Sequence, residues 1–273
     1  MITQLNVKDF NLQATLESGQ VFGFAKGKDG YFTGKIEGNS VWLRQNRHIL
    51  FVKSDSKRKL TDSLRNYFDL DRDLSAVYQI LEEEDGLRSA LQNFRGLRLI
   101  RQDSWEALAC FIISSNNNVK RIQGIWKNLS LRLSGDKESF PKPGDIARSH
   151  ERILRELGLG YRAPYLLRSA QFLSTNPAAL GCIRAADYQE AKRRLLAFPG
   201  IGEKVADCVL LYGFQKYEAF PVDVWILRAM RKLYFKNRKV SEENIHAFGQ
   251  KRWGKNAGYI QQYLFHSVRN GVI

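Results

Sequence analysis

Cysteine is scarce in this 273-residue chain: Cys110, Cys182 and Cys208 are far apart and odd in number. That argues against a disulfide framework and against a four-thiolate metal site, and it points to a reducing compartment, the cytoplasm. The four histidines, His48, His150, His246 and His266, have no metal-ligand spacing and read as ordinary surface or core residues. Neither a metal nor a cofactor is therefore expected. No run approaches the roughly 18 apolar residues of a membrane span, and the opening MITQLNVKDF lacks a basic-then-apolar signal pattern, so no membrane role is expected. Internal repeats and low-complexity tracts are absent. Acidic residues are in short supply as well: 28 Asp and Glu face 43 Lys and Arg, leaving a formal charge of +15. Such an imbalance suits a polyanion, first of all nucleic acid, although ribosomal, membrane-surface and merely basic proteins share it.

What is present is ordinary globular material, 44% hydrophobic and enough for one large domain or two modest ones. Residues 20 to 52 carry strand-like runs, notably YFTGKIEG and SVWLRQ, joined at Gly38-Asn39. From about Asp69 the hydrophobic spacing becomes helical, in LSAVYQILEEE, WEALACFIISS, VKRIQGIWKNLSLRL, HERILRELG, YQEAKRRLLAF, KVADCVLLYGF and VWILRAMRKLYF. The reading is α+β: a small antiparallel-sheet domain over residues 1–70 and a large helical region of two lobes over residues 71–273. Loops are expected at residues 134 to 145 and 174 to 177.

The stretch FPGIGEKVADCVLLYGFQKYEAFPVDVW, Phe198 to Trp225, carries the chemistry. Pro199 ends one helix, Gly200 and Gly202 allow a tight turn, and the next helix presents its free N–H groups to an anion such as a DNA phosphate. A plain helical hairpin is the alternative. Lys204 lies near the start of that helix, and Cys208, four residues on, shares its face. PVDVWILRAM then places Asp223 at an N-cap, where the carboxylate stays ionised. A fixed carboxylate beside an amine nucleophile suits displacement at a sugar carbon that develops positive charge, followed by elimination through a Schiff base.

This segment resembles the helix-hairpin-helix, near residues 190–214, and the following aspartate of the lysine-bearing base-excision glycosylases. Within that superfamily LESGQVF, YFDLDRDLSAVY, GLRLIRQDSWEALACFIISSNNNVKRI, GLGYRAPYL and GYIQQYLF resemble the 8-oxoguanine DNA glycosylases, in order along nearly the whole chain. The resemblance implies Lys204 as nucleophile and Asp223 as its partner. It implies a lesion pocket in which Phe265 and Cys208 sandwich the extruded base, Gln261 bonds its edge and the Gly19 carbonyl accepts from the N–H that oxidation creates at position seven. On the opposite strand Asn116 would fill the vacated space, Arg121 and Arg162 would donate to the orphaned cytosine, and Tyr161 would wedge the stack. Base extrusion is required because the glycosidic bond cannot be attacked inside the stack.

The implied partner is double-stranded DNA containing oxidised guanine, bound by a monomer. Trp225 departs from the family pattern, standing where the eukaryotic enzymes carry histidine, so any phosphate or proton role of that histidine is not expected here. The cysteine spacing of an iron-sulfur cluster, found in the endonuclease III and adenine-glycosylase relatives, is absent too. Two other readings stay open at this point: a monofunctional glycosylase for alkylated bases, against which Lys204 argues, and a non-catalytic module that binds DNA structure, which leaves Asp223 without a purpose.

Overall fold

A computed structural model describes residues 2–55, 60–135 and 139–273. Five antiparallel strands, β1 (Ile2–Asn6), β2 (Ala25–Lys26), β3 (Phe32–Ile36), β4 (Asn39–Asn46) and β5 (Ile49–Ser54), form one sheet in the order β1-β5-β4-β3-β2. The expected antiparallel sheet and helical body are both present. β1 lies outside the expected window because its partner is distant in sequence, with Thr3 opposite Val52. The β3–β4 turn is Glu37-Gly38, one residue earlier than Gly38-Asn39. Both turn residues have positive φ, 48° and 80°, the mirror-image turn that matches strand twist, while Asn39 already pairs with Ile36.

Alternation along β4 and β5 buries Val41, Leu43, Leu50 and Val52 on one face. Leu12 and Leu16 of the helix Leu12–Glu17, and Leu60 and Leu64 of the helix Leu60–Tyr67, join that core. The opposite face places Arg44 and Lys53 over the Tyr31 ring, at 4.8 and 4.4 Å. A second, larger core occupies the helical body, centred on the helices Ser104–Ser114, Glu203–Phe214 and Ala257–Arg269. Part of the expected loop over 134 to 145, residues 136–138, lies outside the described residues. The rest leads into the short helix Pro143–Ala147, and the loop at 174 to 177 begins as the helix Ala163–Thr175 ends.

The two cores meet at a seam of buried polar groups. Gln20, fully buried, donates to the Arg98 carbonyl at 2.8 Å and accepts from the Ile100 N–H at 2.8 Å, while its own carbonyl accepts from the Gln102 side chain at 2.7 Å. Gln262 donates to the Ser18 carbonyl at 3.2 Å and accepts from the Tyr212 hydroxyl. Buried amides bonded through both nitrogen and oxygen are held in one orientation, so the seam fixes the turn between Ser18 and Gln20. Gly19 sits in that turn.

Candidate active site

Three pieces of chain converge beside the hairpin. The first hairpin helix, Tyr188–Leu196, is capped by Asp187, which accepts from the Glu190 N–H. Gly200 then turns the chain at φ +75°, and a Cβ there would lie 2.6 Å from Tyr165 Cγ, so both conformation and space call for glycine. Gly202 is different: its backbone is extended and nothing lies within 4 Å of a Cβ built on it. Its bareness leaves the start of the helix Glu203–Phe214 open, with no side chain capping the first N–H groups. Lys204 is the second residue of this helix, in its first turn.

Asp223 caps the helix Val224–Tyr234, accepting from the N–H groups of Trp225 at 3.0 Å and Ile226 at 2.8 Å. Those two bonds hold the carboxylate at the edge of a cavity of about 450 Å³. Lys204, Cys208, Asp223, Gly19, Gln261 and Phe265 all line it, with Phe111, Asn117 and Trp225. A larger cavity, about 950 Å³, contains none of those six residues, so size does not identify the site. The Lys204 amine lies 5.7 Å from the centroid of the Phe111 ring, and no carboxylate among the described residues forms an ion pair with it. Burial pushes the Cys208 thiol up to about 11, with the neighbouring Lys204 amine pulling the other way. At neutral pH Cys208 is therefore a thiol, not a competing thiolate nucleophile.

Opposite the lysine, Gln261 donates to the Pro221 carbonyl at 3.2 Å, which fixes the orientation of its amide. The amide oxygen, Oε1, is buried without a partner. Gly19 has φ +82°, and no donor among the described residues reaches its carbonyl. Gln261 Oε1 and the Gly19 carbonyl are thus both left without a donor on residues that line one cavity; for the buried Oε1 the missing bond costs about 1–3 kcal/mol unless a ligand supplies a donor.

The residues expected to read the opposite strand lie outside this cavity, and Asn116, Tyr161 and Arg162 meet around the turn after the helix Ser104–Ser114. Asn116 is exposed, with φ +48°. Tyr161, 49% exposed, donates to the Ser115 carbonyl at 3.2 Å. Arg162 is buried at 3% exposure and donates to the carbonyls of Ser115 at 2.7 Å and Asn116 at 2.8 Å, its guanidinium 4.3 Å from the Tyr161 ring. Arg121 is exposed; its backbone N–H donates to the Asn118 side chain, and among the described residues its guanidinium makes no hydrogen bond or ion pair. Tyr165, which blocks a side chain at Gly200, meets the Tyr161 ring edge-on and connects this cluster to the hairpin turn.

Residues 2–108 match the family model "8-oxoguanine DNA glycosylase, N-terminal domain", and residues 109–255 match the "HhH-GPD superfamily base excision DNA repair protein". The chain belongs to the HhH-GPD superfamily. Within it, a probable N-glycosylase/DNA lyase of Methanothermobacter thermautotrophicus is 32% identical over 99% of this chain and 97% of that protein. The N-glycosylase/DNA lyase OGG1 of Arabidopsis thaliana is 29% identical over 96% of this chain and 78% of its own. Among solved structures, the 8-oxoguanine glycosylase/lyase of Clostridium acetobutylicum, in complex with double-stranded DNA containing cytosine opposite 8-oxoguanine, superposes with a TM-score of 0.92 at 29% identity, covering 100% of this chain and 99% of that one. This HhH-GPD protein is a bifunctional DNA glycosylase and lyase, as the resemblance implied.

Some residues in and around the cavity of this HhH-GPD protein escape a reading by motif. Arg269 lines the cavity four residues after Phe265 and eight after Gln261. Helical spacing from those two residues would have found it. Gln20 and Gln262 hold the Gly19 turn but act through contacts distant in sequence, which no local pattern reports. Among the described residues no helix is long and apolar enough to cross a membrane.

Proposed function

We propose that this protein extrudes 8-oxoguanine from double-stranded DNA, excises it most readily where cytosine stands opposite, and cleaves the resulting abasic strand. The observation that carries the reading is the convergence, in one cavity, of an amine without a carboxylate partner, a capped carboxylate and two unpaired acceptors. A guanine-type base brings ring and exocyclic N–H donors to Gln261 Oε1. Its oxidised form alone brings an N–H at position seven to the Gly19 carbonyl, whereas guanine presents a second acceptor there and is repelled. The lesion ring stacks on Phe265, with Cys208 on its other side.

The Lys204 amine attacks C1′ as the bond to the base breaks, and the base leaves with the bonding pair. Asp223 stabilises the positive charge that the sugar develops. Opening of the sugar leaves a Schiff base on Lys204. Loss of a proton from C2′ then expels the 3′ phosphate by β-elimination.

Gly200 and Gly202 let the hairpin N–H groups meet a backbone phosphate. Asn116, Arg121, Tyr161 and Arg162 read the orphaned cytosine, whose ring nitrogen and carbonyl match guanidinium donors. Every part of this site comes from one chain, so a monomer acting in the cytoplasm completes the proposal, with residues 1–70 as the sheet domain and 71–273 as the catalytic region. The test is borohydride trapping on duplexes carrying 8-oxoguanine, an alkylated purine or no lesion, followed by mapping of the adduct. An adduct at Lys204 with 8-oxoguanine is expected. Base release from the alkylated duplex without an adduct would select the monofunctional reading, and binding without release the non-catalytic one.

A further inference from the structure

The helix Ala257–Arg269 carries Gln261, Phe265 and Arg269 at four-residue steps, which puts all three on one face, and all three line the cavity. The first two have a use in the reading above; Arg269 has none. Its guanidinium carbon lies 5.3 Å from the centroid of the Phe265 ring. Its Nη1 lies 2.7 Å from the place a Cβ on Gly19 would take. Neither a hydrogen bond nor an ion pair engages the guanidinium among the described residues. Desolvation at the cavity wall holds its pKa below the ordinary arginine value, against the pull of Asp223.

We propose that Arg269 donates to the C8 carbonyl oxygen of the extruded base, so that Arg269 and the Gly19 carbonyl together read the oxidised edge of the purine. Oxidation changes two neighbouring atoms at once: position seven becomes an N–H donor and C8 gains an oxygen acceptor. The protein carries the complement side by side on the cavity wall: Gly19, whose carbonyl has no donor among the described residues, and the Arg269 guanidinium, which has no hydrogen bond or ion pair among them. Guanine matches neither position. A ring-opened formamidopyrimidine keeps both the N–H and the carbonyl, so the accepted class is purines with an N7–H beside a C8 oxygen, ring closed or opened. This inference rests on the proposed role of Gly19 and Phe265.

A guanidinium at the cavity rim could also meet a DNA phosphate, and one pair of substrates separates the two. Arg269→Gln and Arg269→Lys are compared with the wild type on a duplex carrying 8-oxoguanine and on the same duplex carrying a preformed abasic site, which keeps every phosphate and lacks the base. Arg269→Gln should lower single-turnover excision at limiting enzyme by about ten- to hundredfold, the range for a hydrogen bond to a charged group, and leave abasic-strand cleavage unchanged. Arg269→Lys, which keeps the charge without the planar fork, should fall between. Equal loss on both duplexes, with a shallower salt dependence, would assign Arg269 to the backbone and overturn the inference, as would unchanged excision. A wild-type protein that cleaves the abasic duplex but leaves 8-oxoguanine in place would overturn the substrate reading instead.

Discussion

Two lysines at the helix Glu203–Phe214 stand in opposite circumstances: Lys192, which reaches it from the helix Tyr188–Leu196, and Lys204 in its own first turn. On one face Asp207, 1% exposed, accepts from the Tyr188 hydroxyl at 2.5 Å and lies 3.1 Å from both Lys192 Nζ and His246 Nε2. Lys192 also meets Glu203 at 2.7 Å. Burial and the Asp207 charge push the Tyr188 hydroxyl far above its ordinary pKa, so it stays a donor. On the other face Lys204 has an aromatic ring, a neutral thiol and an open cavity, and no carboxylate in ion-pair contact. A lysine whose charge is matched on every side ties three helices together. A lysine left unmatched beside a cavity is available for chemistry.

Exchanging the insult between the two lysines gives the largest expected effects. Lys204→Gln should abolish both base release and the borohydride adduct while leaving duplex binding and melting temperature nearly unchanged. Lys192→Gln should do the reverse. Removing one partner of a buried pair costs about 3–5 kcal/mol, so the protein should melt earlier, with trapping per folded molecule retained. An adduct forming at normal rate in Lys204→Gln would show that another amine is the nucleophile.

Asp223 tests the same contrast among the acids. It caps a helix and, in the proposed mechanism, also stabilises the sugar cation, where Asp207 holds the Tyr188, Lys192 and His246 side chains together. Asn is as good a cap, able to accept from Trp225 and Ile226 through its amide oxygen, but it carries no charge. Asp223→Asn should therefore keep the melting temperature and lower the single-turnover rate by about a hundredfold or more, with lesion binding little affected. A large drop in melting temperature with normal chemistry would make Asp223 structural.

The contrast explains what could be read from the chain. Gly200, Lys204, Cys208 and Asp223 are legible because turn, helix start and cap each leave a local signature. The sheet was legible from β3 and β4, whose turn joins neighbours, and β1 was not, because its alternation is short and its partner lies beyond 40 intervening residues. The Asp207 network was invisible for the same reason. His246 reads as an ordinary histidine until the helix Glu242–Trp253 brings it to Tyr188 and Lys192. Trp225 remains the open departure from the family. At 43% exposed it stands on the cavity edge with its backbone N–H given to Asp223, and its indole has donor capacity only.

Two arginines sharpen the comparison outside the cavity. Arg162 is buried and holds the Ser115 and Asn116 carbonyls, whereas Arg121 is exposed and its side chain is free of partners among the described residues. Arg121→Ala should narrow the preference for cytosine over adenine opposite the lesion, by about tenfold, with no change in stability. Arg162→Ala should narrow it too and should lower the melting temperature, since the Asn116 carbonyl loses its donor and the Ser115 carbonyl keeps only the Tyr161 hydroxyl. Equal losses on the cytosine and adenine pairs, with a shallower salt dependence, would place both arginines on the phosphates.

The smallest expected effect concerns a buried group, His266, and a partly buried one, Glu106, whose titrations oppose each other. Burial holds His266 down at about 4, with Arg269 adding to the shift. Burial raises Glu106 to about 7, although the Trp126 indole N–H, 2.8 Å away, pulls it down. The unfolded chain protonates the histidine near 6.5, so His266 destabilises the protein as pH falls from 6.5 to about 4. The unfolded chain releases the glutamate proton near 4.5 while the folded one keeps it, so Glu106 destabilises the protein as pH rises from 4.5 to about 7. The two slopes have opposite sign and offset each other between 4.5 and 6.5. Removing either should unmask the other. Measured as melting temperature against pH and referred to the wild type, Glu106→Gln should become progressively more stabilised as pH rises through that window, and His266→Gln progressively more stabilised as pH falls. Difference profiles that stay flat for both variants would mean that neither group is held out of its ordinary protonation state by the fold.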